Sequence, residues 1–337
     1  MKNQPPPPKY ATRKAALETR MALAVSANPV AAIAHNPGNL MIDLHSHILP
    51  GIDDGATDLA MSLAMARLSV ANGVSTLACT PHILPGVWQN TGPNIRIAVQ
   101  KLQAALHDHD IPLHLVTGAD VHITPGLVGA LRSGRALSLN DTRYVLLEVP
   151  HHVAPPHVDE CFFSLLAAGY VPVFTHPERL SWIQSHYEVV KRLARSGVWL
   201  QVTAGSLTGA FGKRAQYWGE KMLGEGMVHI LASDTHNTGR RPPVLAEGWE
   251  AARRIVGDAE ALHLVVTRPY GILCDELPGK LPLPSPQNLP DMEPDDTFSP
   301  SPIRAAADPG QPVASGVAAG RRPLSEWMRG IFGRSNR

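Results

Sequence analysis

Short apolar runs alternate with longer amphipathic stretches through the middle of the chain. The apolar runs are rich in β-branched residues and predict seven strands, at residues 41–44, 76–79, 114–117, 144–148, 171–175, 198–203 and 228–232. The stretches between them carry apolar residues at helical spacing and predict helices at 58–71, 94–107, 158–168, 188–196, 214–224 and 244–256. This alternation is typical of βα units arranged around a parallel sheet.

Glycines mark the ends of several predicted helices. Gly73, Gly169, Gly197 and Gly226 each follow a helix and precede a strand, where a left-handed cap is common. Seven strand–helix units favour a closed barrel over an open sheet. The pattern therefore predicts an α/β fold, a distorted (β/α)7 TIM-like barrel, over residues 40–277.

The two flanks differ in composition from this middle part. Residues 1–39 begin with a proline run and are predicted to form a partly disordered N-terminal extension. Residues 278–337 are rich in Pro, Asp and Ser and predict a disordered tail. Near its end, residues 323–334 place apolar side chains on one helical face between arginines, which suits weak docking on a partner or a lipid surface. A frayed tail helix is the alternative.

Charge and cysteine content exclude several classes of function. The chain has 30 Lys and Arg against 29 Asp and Glu, so its net charge of +1 gives no argument for nucleic-acid binding. No apolar run reaches the roughly 20 residues that span a bilayer, and three cysteines without a C-x-x-C pair predict a reducing, cytoplasmic location. Cysteine phosphatases need an arginine six residues after the thiolate, where this chain has Pro85, Ala167 and Lys280. That chemistry is therefore excluded.

Side chains that can bind metals follow most of the predicted strands. A parallel barrel delivers its carboxyl strand ends to one face, so these residues are expected to converge: His45, His47, Asp54, His82, Asp120, Glu148, His176, Asp234 and His236. Zinc takes about four ligands and manganese about six, so nine suit two or three ions. Imidazole and carboxylate ligands without thiolate favour Mn, Fe or Zn.

The charge of such a site would favour an anionic substrate. Its four carboxylates contribute −4 and three divalent ions would contribute +6, which leaves about +2 to attract a phosphate dianion. Arg179 follows His176 by three residues, and Arg240 and Arg241 follow His236. Guanidinium groups match phosphate oxygens, although solvent exposure is the usual state of a loop arginine.

Six motifs carry a resemblance to a known family. They are Asp43-Leu-His-Ser-His-Ile-Leu-Pro-Gly-Ile-Asp-Asp-Gly, Thr80-Pro-His, Gly118-Ala-Asp, Leu146-Leu-Glu, His176-Pro-Glu-Arg and Ala232-Ser-Asp-Thr-His. Over residues 41–277 the chain resembles the PHP superfamily (polymerase and histidinol phosphatase), in particular its bacterial protein-tyrosine-phosphatase branch. The resemblance implies the nine residues above as ligands of three metals, usually manganese. It also implies that Arg179 and Arg241 bind the phosphate and that these two residues and Asp54 are catalytic. The implied reaction is attack on phosphorus by a metal-bound hydroxide, without a covalent phosphoenzyme.

The implied substrate is a phosphotyrosine protein, an autophosphorylating bacterial tyrosine kinase of capsule or exopolysaccharide synthesis. Asp120 departs from the family, which generally has Glu there, and its carboxylate reaches about 1.5 Å less far. The number of ions therefore stays open, as does the oligomeric state. Two alternatives remain: a small-molecule phosphatase or phosphoesterase of histidinol-phosphatase type, and a degenerate metal-binding module that regulates a kinase by binding.

Overall fold

Parallel strands alternate with helices through residues 38–287, the part of the chain that the computed structural model describes. The strands are β1 (Met41–Asp43), β2 (Val74–Cys79), β3 (His82–Leu84), β4 (Trp88–Gln89), β5 (His114–Thr117), β6 (Asp120–His122), β7 (Tyr144–Glu148), β8 (Val171–Thr175), β9 (Trp199–Thr203) and β10 (Val228–Ala232). The helices are α1 (Leu59–Ala71), α2 (Gly92–Asp108), α3 (Leu127–Arg132), α4 (Val158–Ala167), α5 (Ile183–Arg195), α6 (Ala204–Leu207), α7 (Gly212–Gly224), α8 (Leu245–Leu262) and α9 (Arg268–Leu273). Most of the predicted extension and most of the predicted tail, with its segment 323–334, lie outside the described residues.

The strands form two hydrogen-bonded sheets. One has the order β1-β2-β5 and the other β10-β9-β8-β7-β6-β3-β4. Every pairing is parallel except that of β3 with β4. A single parallel bridge between Ser46 and Thr235 links the segments that follow β1 and β10. The predicted parallel α/β class is confirmed, whereas closure into one barrel stays a prediction because the sheet is divided.

The division falls just beyond the ends of two predicted strands, 76–79 and 114–117. β2 ends at Cys79 and pairing resumes in the other sheet at His82, after Thr80 and Pro81. Proline has no N–H to donate to a sheet, and the N–H of Thr80 donates instead to the carbonyl of Ser46 at 2.9 Å. β5 and β6 are separated in the same way by two residues, 118–119. The three short strands β3, β4 and β6 were not predicted.

Local sequence explains where several helices begin. Asp58 caps α1 by accepting a hydrogen bond from the N–H of Met61 at 2.9 Å. α2 begins two residues before its predicted start because Thr91 and Asn94 form a capping box. α5 begins five residues early, at Ile183, which is buried. The four glycines predicted as caps all have φ between 68° and 97°, as expected.

Both faces of most strands are buried, as is usual for parallel sheets. In β7, Val145 and Leu147 belong to the large core under the helices, whereas Tyr144 and Leu146 belong to a second, smaller apolar cluster. Trp199 of β9 lies in the smaller cluster, with Ile272 and Leu273 at the end of α9. This packing fixes the strands, and with them the polar side chains at their carboxyl ends.

Candidate metal centre

All nine predicted ligands lie at a strand end or in the loop beyond it. His82 and Asp120 are the first residues of the short strands β3 and β6, which continue β2 and β5, and Glu148 is the last residue of β7. Each of the nine belongs to at least one group of three or four side chains whose donor atoms lie within 4.8 Å of one another. All are buried except Asp54, whose side chain is 48% exposed.

Backbone contacts bring the segments after β1 and β10 together. The N–H of His47 donates to the carbonyl of Thr235 at 2.9 Å, and that of Asp234 donates to the carbonyl of His45 at 3.0 Å. As a result the Nε2 atoms of His45 and His47 lie 3.2 Å apart, and each is 3.4 Å from Asp234 Oδ1. Asp120 Oδ2 is 3.5 Å from His45 Nε2. Two imidazoles and two carboxylates thus face a common point.

Several of these atoms are buried and make no hydrogen bond. They are both carboxylate oxygens of Asp120, Asp234 Oδ1, Glu148 Oε2, His82 Nδ1, His176 Nδ1 and His236 Nε2. An unsatisfied buried polar group costs about 1–3 kcal/mol, so such a concentration is unfavourable unless cations satisfy it. The donor set is imidazole and carboxylate, which fits divalent transition ions.

Two further residues orient the histidines. Gln201 Oε1 lies 2.9 Å from His45 Nδ1, and Asp53 Oδ2 lies 2.8 Å from His47 Nδ1. When Nδ1 donates its proton to such a partner, the Nε2 lone pair faces the cluster. Neither residue was predicted as part of the site. Asp53 could have been found beside Asp54 in the same motif, whereas nothing in the sequence marks Gln201.

The backbone around the cluster is unusual. His176 and Asp234 have φ values of 38° and 52°, in the left-handed region that residues other than glycine seldom adopt. Gly55, at the end of the Ile-Asp-Asp-Gly motif, lies so close to His47 that a Cβ atom would come within 2.0 Å of the His47 carbonyl oxygen. This loop carries Asp54, whose Oδ1 is 3.4 Å from His236 Nε2.

Charges within the cluster shift the pKa values of its members. Burial lowers the pKa of His45, but the carboxylates of Asp234 and Asp120 outweigh this and raise it to about 9. Burial likewise opposes a charged His82, yet Glu148 with Asp120 and Asp54 raises its pKa to about 10. Without metal, these histidines are therefore cations paired with carboxylates.

Arg179 and Arg241 converge at one edge of the cluster. Arg179 Nη1 donates to Asp234 Oδ2 at 2.5 Å, and Arg241 pairs with the same oxygen. Both guanidinium groups lie over the ring of Phe211, at 4.3 Å and 5.8 Å from its centroid. Arg241 Nε is buried and has no hydrogen-bond partner. Arg240 is exposed.

Two histidines near Glu148 were also missed. His122 Nε2 lies 2.5 Å from Glu148 Oε2, and His151 Nε2 lies 3.2 Å from Glu148 Oε1. The side chain of His151 is 26% exposed and packs back onto the strand end. By contrast, His152, His107 and His109 are exposed. The signal for His122 was its spacing of two residues from Asp120.

The cysteines have no place in this centre. Cys79 is fully buried, and burial raises the pKa of its thiol far above the ordinary value. Burial, with the charges of Glu160 and Asp159, also raises the pKa of Cys161. A thiolate nucleophile is thus disfavoured at both residues, in agreement with the missing arginine spacing.

A family model described as "Capsular polysaccharide synthesis, CpsB/CapC" matches residues 41–274. The chain belongs to this family. It is 39% identical over 201 residues to the tyrosine-protein phosphatase YwqE of Bacillus subtilis (strain 168), covering 60% of this chain and 79% of the relative. It is 30% identical over 248 residues to the tyrosine-protein phosphatase CpsB of Streptococcus pneumoniae, covering 70% of this chain and 100% of the relative.

A solved structure agrees with this assignment. A crystal structure from work on YwqE and CpsB, described as unique metal-dependent tyrosine phosphatases, is similar with a TM-score of 0.66 at 33% identity. It covers 74% of this chain and 100% of that chain. The resemblance inferred from the motifs is confirmed.

No helix within residues 38–287 is long and apolar enough to cross a membrane.

Proposed function

We infer that the chain is a metal-dependent protein-tyrosine phosphatase of capsular polysaccharide synthesis. Family membership and relatives named as tyrosine-protein phosphatases support this activity. The structural observation that carries it is the buried cluster of histidines and carboxylates with two arginines at its edge. Such an arrangement suits hydrolysis of a phosphate monoester and needs no protein nucleophile.

We propose that the nine clustered residues hold the metal. They are His45, His47, Asp54, His82, Asp120, Glu148, His176, Asp234 and His236, with room for two or three ions and with manganese preferred over iron or zinc. When bound, divalent ions lower the pKa of water toward about 7 and neutralise charge on phosphate oxygens. The orphaned oxygens of Asp120 and Asp234 Oδ1 support the metal role of these residues.

Arg179 and Arg241 are proposed to bind the phosphate. Their guanidinium groups meet at Asp234 Oδ2, and Phe211 supports both from the opposite side. Arg241 Nε has no partner within the protein, so a phosphate oxygen would satisfy it. Asp54 is the most exposed of the nine and lies on the solvent side of His82 and His236. We place it at the mouth of the site, where it acts with the arginines on the substrate.

The proposed substrate is phosphotyrosine on a bacterial tyrosine kinase that phosphorylates itself. The proposed location is the cytoplasm, which the three cysteines without a C-x-x-C pair support. The substrate assignment is supported by the names of the relatives and by the phosphate-binding edge of the cluster.

Turnover measurements test the proposed function. The purified chain with Mn²⁺ should hydrolyse phosphotyrosine peptides with a higher kcat/KM than histidinol phosphate or nucleotides. His45→Ala and His176→Ala should abolish turnover, and the exposed His152→Ala should not. Preference for histidinol phosphate would favour the small-molecule alternative. If the wild-type chain shows no turnover and kinase binding survives His45→Ala, the binding-module alternative would be favoured. Full activity in excess chelator would exclude a metal mechanism.

A further inference from the structure

His122 extends the cluster beyond the nine residues discussed above. It lies two residues after Asp120 in β6, and side chains two apart in a strand share a face. The sheet register pairs His122 with Glu148 of β7. β6 thus presents an Asp-x-His pair to the cluster, with the same spacing as Asp234 and His236 after β10.

Three donor atoms meet at this point. Glu148 Oε2 lies 2.5 Å from His122 Nε2 and 3.2 Å from His82 Nδ1. The rings of His82 and His122 are 5.2 Å apart between centroids. All three residues are at most 9% exposed. Two imidazole nitrogens and one carboxylate oxygen at these separations form a set that divalent transition ions bind.

One pair of these atoms converges without a regular hydrogen bond. Glu148 Oε2, which also contacts His122 Nε2, and His82 Nδ1 are both buried and lie 3.2 Å apart, yet no hydrogen bond of regular geometry joins them. Their close approach therefore does not have the geometry of a donor and its acceptor. Convergence without hydrogen bonding is expected where both atoms face a third body, such as a cation.

His82 is shared between two groups of donors. Its Nε2 is 3.5 Å from Asp54 Oδ1, on the side of His47 and His236, while its Nδ1 faces Glu148. A neutral imidazole offers a single lone pair, so His82 can serve an ion on only one side. If His82 binds an ion beside Glu148, the group on its other side still has His47, Asp54 and His236 as donors. The group around Glu148 has a second imidazole donor in His122.

We propose that His122 is a metal ligand, and that with Glu148 and His82 it forms a position for a divalent transition ion such as Mn²⁺ or Zn²⁺. This position deepens the proposed function, since it depends on the same metal centre. Its occupancy can nevertheless be measured without any catalytic turnover.

Metal content tests this position. Bound Mn²⁺ per chain is measured by equilibrium dialysis and elemental analysis for the wild type, His122→Ala, His122→Gln and the control His152→Ala, an exposed histidine four residues after Glu148. We expect both His122 variants to lose one ion or to hold their weakest ion at least about ten-fold less tightly. His152→Ala should match the wild type. Unchanged number and affinity of ions in the His122 variants would overturn the proposal.

The wild-type chain provides a second test that does not depend on how the variants fold. In crystals soaked with Mn²⁺, anomalous scattering should show a peak at bonding distance from His122 Nε2, about 2.0–2.3 Å. Peaks confined to the other nine residues would refute the role of His122. A chain that binds this ion but does not hydrolyse phosphotyrosine would refute the proposed function and leave the metal position supported.

Discussion

Asp53→Asn should weaken metal binding although Asp53 is not itself a proposed ligand. Asp53 Oδ2 accepts from His47 Nδ1 at 2.8 Å and from the N–H of His82 at 3.2 Å, and its Oδ1 accepts from the N–H of Gly55 at 3.0 Å. Burial favours the protonated acid, yet the charge of His47 and its hydrogen bond hold the pKa of Asp53 below its ordinary value. The carboxylate is therefore ionised and fixes the His47 ring.

Asparagine keeps the shape of this side chain but loses its charge and one acceptor. Its amide nitrogen would replace either Oδ2, where it faces His47 Nδ1 and the N–H of His82, or Oδ1, where it faces the N–H of Gly55, so at least one of the three contacts fails. Loss of a partner that orients a metal-binding histidine typically costs 10- to 100-fold in affinity. That factor corresponds to about 1.4–2.7 kcal/mol.

The assay is phosphatase activity of metal-free protein titrated with Mn²⁺. We expect the half-saturating Mn²⁺ concentration of Asp53→Asn to rise about 10- to 100-fold, with most of the maximal rate recovered at saturation. Asp58→Asn is the matched control, because Asp58 is an exposed cap of α1 on the same segment and asparagine caps helices equally well. An unchanged Mn²⁺ requirement in Asp53→Asn would refute the orienting role.

Three further predictions concern the same centre. Mn²⁺ binding at pH 7 should release protons and should tighten as pH rises toward 9–10. The reason is that the raised pKa values, about 9 for His45 and about 10 for His82, make both histidines cationic without metal. Calorimetry in buffers of different ionisation enthalpy measures the proton release, and a binding enthalpy that does not depend on the buffer would contradict it. Arg241→Ala should lower kcat/KM for phosphotyrosine peptides about 10- to 100-fold, which is the effect of losing one charged hydrogen bond. The metal content of the variant should be unchanged. Loss of metal would count against a role of Arg241 in phosphate binding. Gly55→Ala should lower both the melting temperature and the Mn²⁺ affinity, because the added Cβ would meet the His47 carbonyl oxygen. The control Gly129→Ala in α3 adds a methyl group to open space. Alanine is the better helix former, so this control should lower neither quantity.

Much of the site was accessible from the sequence because ligand spacing is a local property. Pairs such as His45 and His47 follow an apolar run that encodes a strand, and strand alternation puts both side chains on one side. Parallel topology then explains why distant pairs meet. The residues that were missed act through tertiary contacts: Gln201 and Asp53 matter only because β9 and the loop after β1 bring them to His45 and His47.

The fold was harder to predict from the sequence where a strand or helix resumes after an interruption. The apolar run of β2 ends in Thr80 and Pro81, which read as the end of a strand, so the renewed pairing of β3 was not predicted. α8 shows the same limit: its predicted end at residue 256 coincides with a break, because Gly257 has a non-helical backbone with a φ of 80°, but a helical segment resumes beyond it and ends at Leu262. Local signals locate an interruption but do not reveal whether the element resumes.

The division of the sheet has a direct consequence for the metal centre. Because pairing resumes at His82 and at Asp120, these two residues stand opposite each other in register as the first pair of β3 and β6. The next pairing then sets His122 opposite Glu148. A strand that ran without interruption from residue 74 would carry His82 deeper into one regular sheet, with its orientation fixed by strict alternation from Cys79. The break allows the side chains of β3, β6 and β7 to turn toward one point, so the distortion of the sheet is the feature that assembles this side of the cluster.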